Sequence, residues 1–388
     1  MVNLEDVSLI DAHCHPFLPS KETPHLERYF TLSGLHAKPF DAANTLFFRS
    51  TVQELSRVLN VHGPYSAIIK ARNRLYRDDP ASYIRLLFEE VKVGELLVDV
   101  GYPSKLMSGY SVNLRTFGKL VPCRTRLIHR VDGTITSCLK TASSIKDAVQ
   151  FLLEDIDYSV KTRKAVALKS TVAYLTGLEI KHVSDSAARE AFETLSALVK
   201  KGHSVFELLS RRKSETKTLW DYSLYLIAER AHKLRTPLQI HTGMGDAPFD
   251  LSKSNPALLA EFINSPECSR TEIVLVHCGY PYIREVGYLT NAYPNVYADL
   301  SMMIPFASLG VAENIERLLQ LAPTSKIMYA SDGSEIPEIF WMAALETKKG
   351  LAEVSDRLIR SGVIDDETAT QIAKQILQQN ATRVYGLT

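Results

Sequence analysis

Ser8-Leu9-Ile10-Asp11-Ala12-His13-Cys14-His15 is a strand-like run that closes on two histidines one residue apart. Alternate side chains of a β-strand point to the same side, so His13 and His15 can offer two imidazoles to one point, as a metal ion requires. A His-x-His spacing is common by chance, and this one gains meaning from the rest of the chain.

Three later runs end in the same manner. They are Pro237-Leu238-Gln239-Ile240-His241-Thr242-Gly243, Ile273-Val274-Leu275-Val276-His277-Cys278-Gly279 and Ile327-Met328-Tyr329-Ala330-Ser331-Asp332-Gly333. Each is a short apolar stretch of strand length that ends in a polar residue and a glycine, the way a buried parallel strand delivers a side chain to its C-terminal mouth. A lone histidine among these would read as a hydrogen-bonded core residue; His13, His15, His241 and Asp332 together read as metal ligands, with His277 beside them.

Four more strand candidates, at 95–101, 126–130, 165–170 and 295–300, bring the count to eight. Helical patterns at 145–158, 186–200, 219–233 and 312–321 separate the later ones. Strands alternating with helices imply a parallel sheet, and eight of them imply an α/β fold of the (β/α)8 TIM-barrel type, whose chemistry sits at the C-terminal strand ends. Two stretches are longer than ordinary barrel loops. Residues 16–94, with helical patterns at 66–76 and 81–92, predict a helical insertion after strand one; residues 171–218, holding Tyr174, Gly177 and Glu179, form a second. Both are expected over the active-site face of a single domain spanning 1–388.

Composition excludes several classes of function. Lysine plus arginine (45) balances aspartate plus glutamate (44), leaving no net field to gather nucleic acid or an anionic membrane. Arg211-Arg212-Lys213 is followed by Glu215 and reads as a solvated face. No apolar run is long enough to span a bilayer, and the start Val2-Asn3-Leu4-Glu5-Asp6 lacks the features of a signal peptide. Five scattered cysteines form no metal or disulfide spacing, so a reducing, cytoplasmic location is expected, with Cys14 and Cys278 packed on the far side of their strands. The expected partner is a small-molecule substrate, with no nucleic acid or membrane, and the protein is expected to be a homo-oligomer.

The ordered set of His-x-His on strand one, histidines on strands five and six and Asp on strand eight resembles the amidohydrolase superfamily. The final segment Asn380-Ala381-Thr382-Arg383-Val384-Tyr385-Gly386-Leu387 resembles the closing segment of its amidohydrolase-related (amidohydrolase 2) branch. More narrowly, Ala167-Leu168-Lys169-Ser170 with Tyr174 and Gly177, and Ser331-Asp332-Gly333 with Pro337-Glu338, resemble the FluG-type amidohydrolases. In some fungi and plants that domain is fused to a glutamine-synthetase module; with the sequence ending at Thr388, no such module is expected here.

The chemistry of the residues agrees with the resemblance. Imidazoles and a carboxylate suit a divalent ion, Zn2+ first and Mn2+ or Fe2+ after it, with a position left for water. Asp332 is of the right type to take that water's proton and pass it to a leaving nitrogen. The resemblance implies that His277 either polarises the substrate or is a ligand, according to whether one ion or two are held. It also places Lys169 where some relatives carry a carboxylated lysine bridging two ions. The other reading of Lys169 is a cation that binds a substrate carboxylate, and Arg130 is either its partner in that task or an ion-pair residue in the barrel. Tyr174 and Glu179 are further substrate-binding candidates, and Tyr280, Tyr282 and Asp246 are candidates for the pocket wall. Asp11 and Asp299, inside strands, are expected to orient the imidazoles.

The resulting expectation is a metal-dependent hydrolase of a C–N amide bond in a small carboxylate-bearing compound such as a γ-glutamyl conjugate. The alternatives are a non-oxidative decarboxylase or isomerase using the same site, and a non-catalytic scaffold or sensor derived from the enzyme.

Overall fold

A computed structural model describes residues 2–19, 25–103, 110–247 and 249–388. Eight parallel strands pair in chain order: β1 Leu9–Cys14, β2 Val93–Asp99, β3 Arg124–Arg130, β4 Ala167–Ser170, β5 Leu238–His241, β6 Ile273–Val276, β7 Val296–Asp299 and β8 Ile327–Met328. Backbone hydrogen bonds from Ala12 N to Tyr329 O (3.0 Å), Asp332 N to His13 O (2.9 Å) and His15 N to Gly333 O (2.7 Å) join the last strand to the first. The sheet is thus the expected barrel, with helices outside it.

Alternation sorts the strand residues into two environments. Leu96, Val98, Leu168, Leu238, Ile240, Ile273 and Leu275 face the outer helices, within one large core that also buries Trp220 and Trp341. Ile10, Ala12, Leu97, Ile128, Ala167, Val274 and Met328 fill the barrel itself. The C-terminal residues Ala381, Val384, Tyr385 and Leu387 pack against this inner set and plug the lower end.

β1 departs from simple alternation. Asp11 pairs with Leu96 and Cys14 with Val98, so three steps on β1 oppose two on β2. This bulge inserts one residue and reverses the face of everything after it. Ile10 and Ala12 therefore point inward and so do His13 and His15, while Cys14 turns outward and contacts Leu97 O through its thiol.

The insertion after β1 contains the helices Leu46–Val58, Tyr65–Asp78 and Pro80–Glu90. Thr45 caps the first by accepting from Phe48 N, and Asp79 caps the third by accepting from Ser82 N, with Pro80 at the first helical position. A buried ion pair fastens this insertion to the helix Pro337–Arg360 that follows β8: Arg72 donates to both carboxylate oxygens of Glu338, and Tyr83 Oη donates to the same carboxylate at 2.7 Å. Residues 20–24 of the insertion lie outside the described residues.

The second long stretch lies elsewhere than anticipated. Its longest helix, Asp185–Lys200, packs on the flank of the barrel, where Ser196 Oγ donates to Leu139 O and Lys200 Nζ to Ala142 O. An apolar stripe through Ala188, Ala191, Phe192, Leu195 and Val199 makes it a member of the outer helical layer, and the short helix Val172–Leu175 is what brings this stretch to the mouth. Among the described residues, no helix is long and apolar enough to cross a membrane.

Candidate metal centre

The upper end of the barrel interior is polar and buried. His13, His15, Asp99, Lys169, His241, His277 and Asp299 are each less than a tenth exposed. His277 and Asp332 follow the ends of β6 and β8 with left-handed backbones, φ 74° and 53°. Such conformations in non-glycine residues are uncommon and cluster where surrounding structure enforces them.

Hydrogen bonds fix where each imidazole carries its proton. The carbonyl of Asp99 can only accept, so His15 Nδ1, 2.9 Å away, donates to it. Ser301 Oγ donates to Asp299 Oδ1 at 2.6 Å and therefore accepts from His277 Nδ1 at 2.8 Å. His13 Nδ1 lies 2.8 Å from Gln239 Oε1, an acceptor. In its neutral form each of these rings keeps its free lone pair on Nε2.

Two of those lone pairs face a carboxylate. His13 Nε2 and His15 Nε2 each lie 3.3 Å from Asp332 Oδ1. Burial and the nearby Lys169 lower His13 to a pKa of about 4, so at neutral pH it has no second proton to place between them. His13 Nε2 and Asp332 Oδ1 are buried without a hydrogen-bond partner. Lone pairs confronting a carboxylate repel unless a cation stands between them, and this donor set fits a divalent metal ion. Donor atoms of His13, His277 and Asp332 lie within 4.8 Å of one another, as do those of His13, His15 and Asp99. The carboxylate of Asp99 is already engaged, however, accepting from Gly101 N at 2.8 Å and twice from Arg130.

His241 differs from its expected place. Its Nε2 donates to Met244 O at 3.0 Å, leaving only Nδ1 with a lone pair, and its ring packs on His277 with centroids 4.3 Å apart. The cause is the tight turn after β5, where Gly243, at φ 73°, lies so close to Gly279 and Tyr280 that a side chain would clash with their backbone. That approach, with Met244 N bonded to Tyr280 O at 2.7 Å, aims the Met244 carbonyl back at the ring.

The substrate-binding candidates separate. Lys169 is 1% exposed, and its Nζ has no hydrogen-bond partner among the described residues. Burial lowers its pKa to about 8 against the pull of Asp332, Asp99 and Asp299, so it remains mainly a cation at neutral pH. Arg130 does not share its role: Nε and Nη2 bind Asp99 Oδ2 at 2.9 and 2.6 Å, which makes it the ion-pair residue of the two readings. Tyr174 borders the site, its ring 4.6 Å from that of His241. Glu179 does not; its side chain is 59% exposed and pairs with Lys181 at 3.0 Å, because the chain turns outward beyond Gly177.

Asp11 and Asp299 hold the site through backbone and hydroxyl groups. Asp11 accepts from His13 N and Ser331 N, and Asp299 from His277 N and Ser301. Sequence reading missed Asp99, Gln239, Ser301 and Tyr102, whose ring lies 5.3 Å from that of His15. Asp99 had the same signal as the candidate ligands, a polar residue closing an apolar run. Gln239 is a lone amide in a buried strand, two residues before His241 and therefore on its face.

A profile of the amidohydrolase family (Amidohydro_2) matches residues 182–387, more than half of the chain. The chain belongs to this amidohydrolase family. It is 29% identical over 408 residues to the protein fluG of Emericella nidulans, an alignment covering 98% of this amidohydrolase and 46% of that protein. The chain thus spans about half the length of its curated relative. Among solved structures it is similar to a Lactobacillus casei protein provisionally described as a metal-dependent hydrolase, with TM-score 0.84, 26% identity and 99% and 96% of the two chains covered. It shares a fold with the uronate isomerase of Thermotoga maritima, at TM-score 0.68, 14% identity and 98% and 95% coverage.

Proposed function

We propose that this amidohydrolase is a hydrolase of a C–N amide bond in a small substrate bearing a carboxylate, a γ-glutamyl conjugate being the type compound. The observation that carries the substrate class is the buried, unpartnered ammonium of Lys169 beneath the same mouth as the His/Asp cluster. A cation left unpaired in a barrel interior is costly, and an anionic group entering from the mouth relieves that cost.

His13, His15 and Asp332 would hold a divalent ion, with His241 offering Nδ1 to complete the set and His277 beside it; Zn2+ suits these donors best. When bound, such an ion lowers the pKa of a water from ~15.7 to about 7 and so supplies hydroxide at neutral pH. The residues of the chain do the rest. Asp332 accepts a proton at its carboxylate and returns it to the departing nitrogen. Lys169 Nζ fixes the acidic end of the substrate, while Tyr102 and Tyr174 wall the entrance. In this reading one ion is held, His277 polarises the substrate carbonyl beside it, and proton transfer rests with Asp332.

The test is a screen of N-acyl and γ-glutamyl amides with metal-loaded protein, followed by mass analysis. Release of a free amine, with one water added across the substrate, is the expected result. A product of unchanged mass would assign an isomerase, CO2 release a decarboxylase, and metal binding without turnover a sensor or scaffold.

A further inference from the structure

The amide of Gln239 has only one orientation that satisfies its neighbours. On one side lie the carbonyl of Ala12, at 2.9 Å, and the hydroxyl of Tyr385, at 2.8 Å; on the other lies His13 Nδ1, at 2.8 Å. The Ala12 carbonyl can only accept, so the NH2 group must face it, and both amide hydrogens are then used on Ala12 and Tyr385. Oε1 is left facing His13, and the proton of that ring is compelled onto Nδ1. All three side chains are buried, His13 and Gln239 completely.

Tyr385 is itself held from below. It belongs to the C-terminal segment that plugs the barrel, packed with Ile10, Leu97 and Met328, and Asn380 Nδ2 ties that segment to Thr324 O and Ile327 O at 2.8 and 2.7 Å. A path of hydrogen bonds therefore runs from Tyr385, in this plugging segment, through Gln239 to the imidazole of His13.

We infer that Gln239 and Tyr385 are positioning residues for metal binding: together they lock His13 as its Nδ1–H form, with the Nε2 lone pair presented to the ion. The inference rests on the reading of His13 as a ligand, since a reversed tautomer would place a hydrogen where the ion belongs. Partners of this kind commonly govern affinity as strongly as the ligands' own geometry.

The experiment has two independent readouts. In metal-free protein labelled with 15N-histidine, His13 of the wild type shows the Nδ1–H pattern, and Q239L loses it. Zn2+ affinity, measured by competition with a chromophoric chelator, falls about 10- to 100-fold in Q239L but stays within about threefold in Q239E, whose buried carboxyl in its protonated form donates to the Ala12 carbonyl from one oxygen and accepts from Nδ1 with the other. Y385F weakens Zn2+ binding by about threefold in the wild-type background and has no effect in the Q239L background, because its influence passes through the amide. Circular dichroism and thermal melts accompany each variant; should Q239L not fold, Q239E and Y385F carry the comparison through the tautomer and affinity readouts.

An Nε2–H tautomer in the wild type, undiminished Zn2+ affinity in folded Q239L, or equal effects of Y385F in both backgrounds would overturn the inference. Failure of the wild type to bind Zn2+, with the tautomer as expected, would instead refute the ligand reading and leave the lock in place.

Discussion

Arg130 grips Asp99 through two hydrogen bonds of 2.9 and 2.6 Å, and the main-chain carbonyl of that same Asp99 receives the Nδ1 proton of His15. An ion pair between the ends of β2 and β3 thereby braces an imidazole from β1. Burial raises the Asp99 carboxyl, but Arg130, His15 and His13 outweigh it and hold its pKa below the usual carboxylate range.

Removing one partner of this pair leaves the other charge buried. Asp99→Ala should destabilise the fold by about 3 kcal/mol, read from urea unfolding at neutral pH. The pH dependence has a definite sign. A carboxyl with a depressed native pKa stabilises above its unfolded value, ~3.9, and that contribution is lost as the pH falls through its native value. Stability of the wild type should therefore fall more steeply below pH ~4 than that of Asp99→Asn. Parallel acid limbs for the two proteins would show that the pair has no linkage to folding.

Chelation should abolish activity, and Zn2+ or, less effectively, Mn2+ should restore it. Metal content measured by elemental analysis should drop in His13→Ala and His15→Ala, whereas Asp332→Asn should retain part of its metal and lose turnover with its proton carrier. Full metal in both histidine variants would place the site elsewhere.

Lys169→Met should raise KM for acidic substrates by at least about tenfold, leave neutral analogues little changed, and keep the metal near one ion per chain. A fall from two ions to one or none, with recovery on adding a short-chain carboxylate, would assign a bridging role to a carboxylated Lys169.

Arg72→Leu should destabilise the protein by about 3–5 kcal/mol, since it strands Glu338 in a fully buried site. The double variant R72L/E338L should recover most of that loss, because no charge is left unpaired. Thermal unfolding of the three proteins decides the matter: a double variant as unstable as the single one would mean that the pair's geometry, and not its charge balance, fastens the insertion.

The eight strands and the polar residues gathered at their mouth could be read from the sequence because burial writes itself into composition: short apolar runs that end in a polar residue recur where strands open into a shared mouth. What could not be read depends on contacts across the barrel. Strict alternation puts Ile10, Ala12 and Cys14 on one face and His13 and His15 on the other; the bulge that turns the histidines inward has no local signature. The charge of Arg130 is visible in the sequence, but the end of the neighbouring strand that takes it up is not. Glu179 failed as a site residue because a short helix and a glycine turn decide its direction, and residue type alone does not. For His241 the strand and the burial agree with expectation, while the nitrogen it exposes is set by a carbonyl in the following turn.

The three bonds that join β1 to the segment around Tyr329, His13 and Gly333 also have a bearing on how the protein is made. Until that late segment emerges from the ribosome, β1 has an unpaired edge and its histidines lack their carboxylate partner, so the centre is assembled among the last long-range contacts. An ion held there can recognise only the finished barrel and draws the folding equilibrium toward it by mass action. A cell deprived of the metal would accordingly lose the protein itself, through degradation of incompletely closed chains, as well as its turnover.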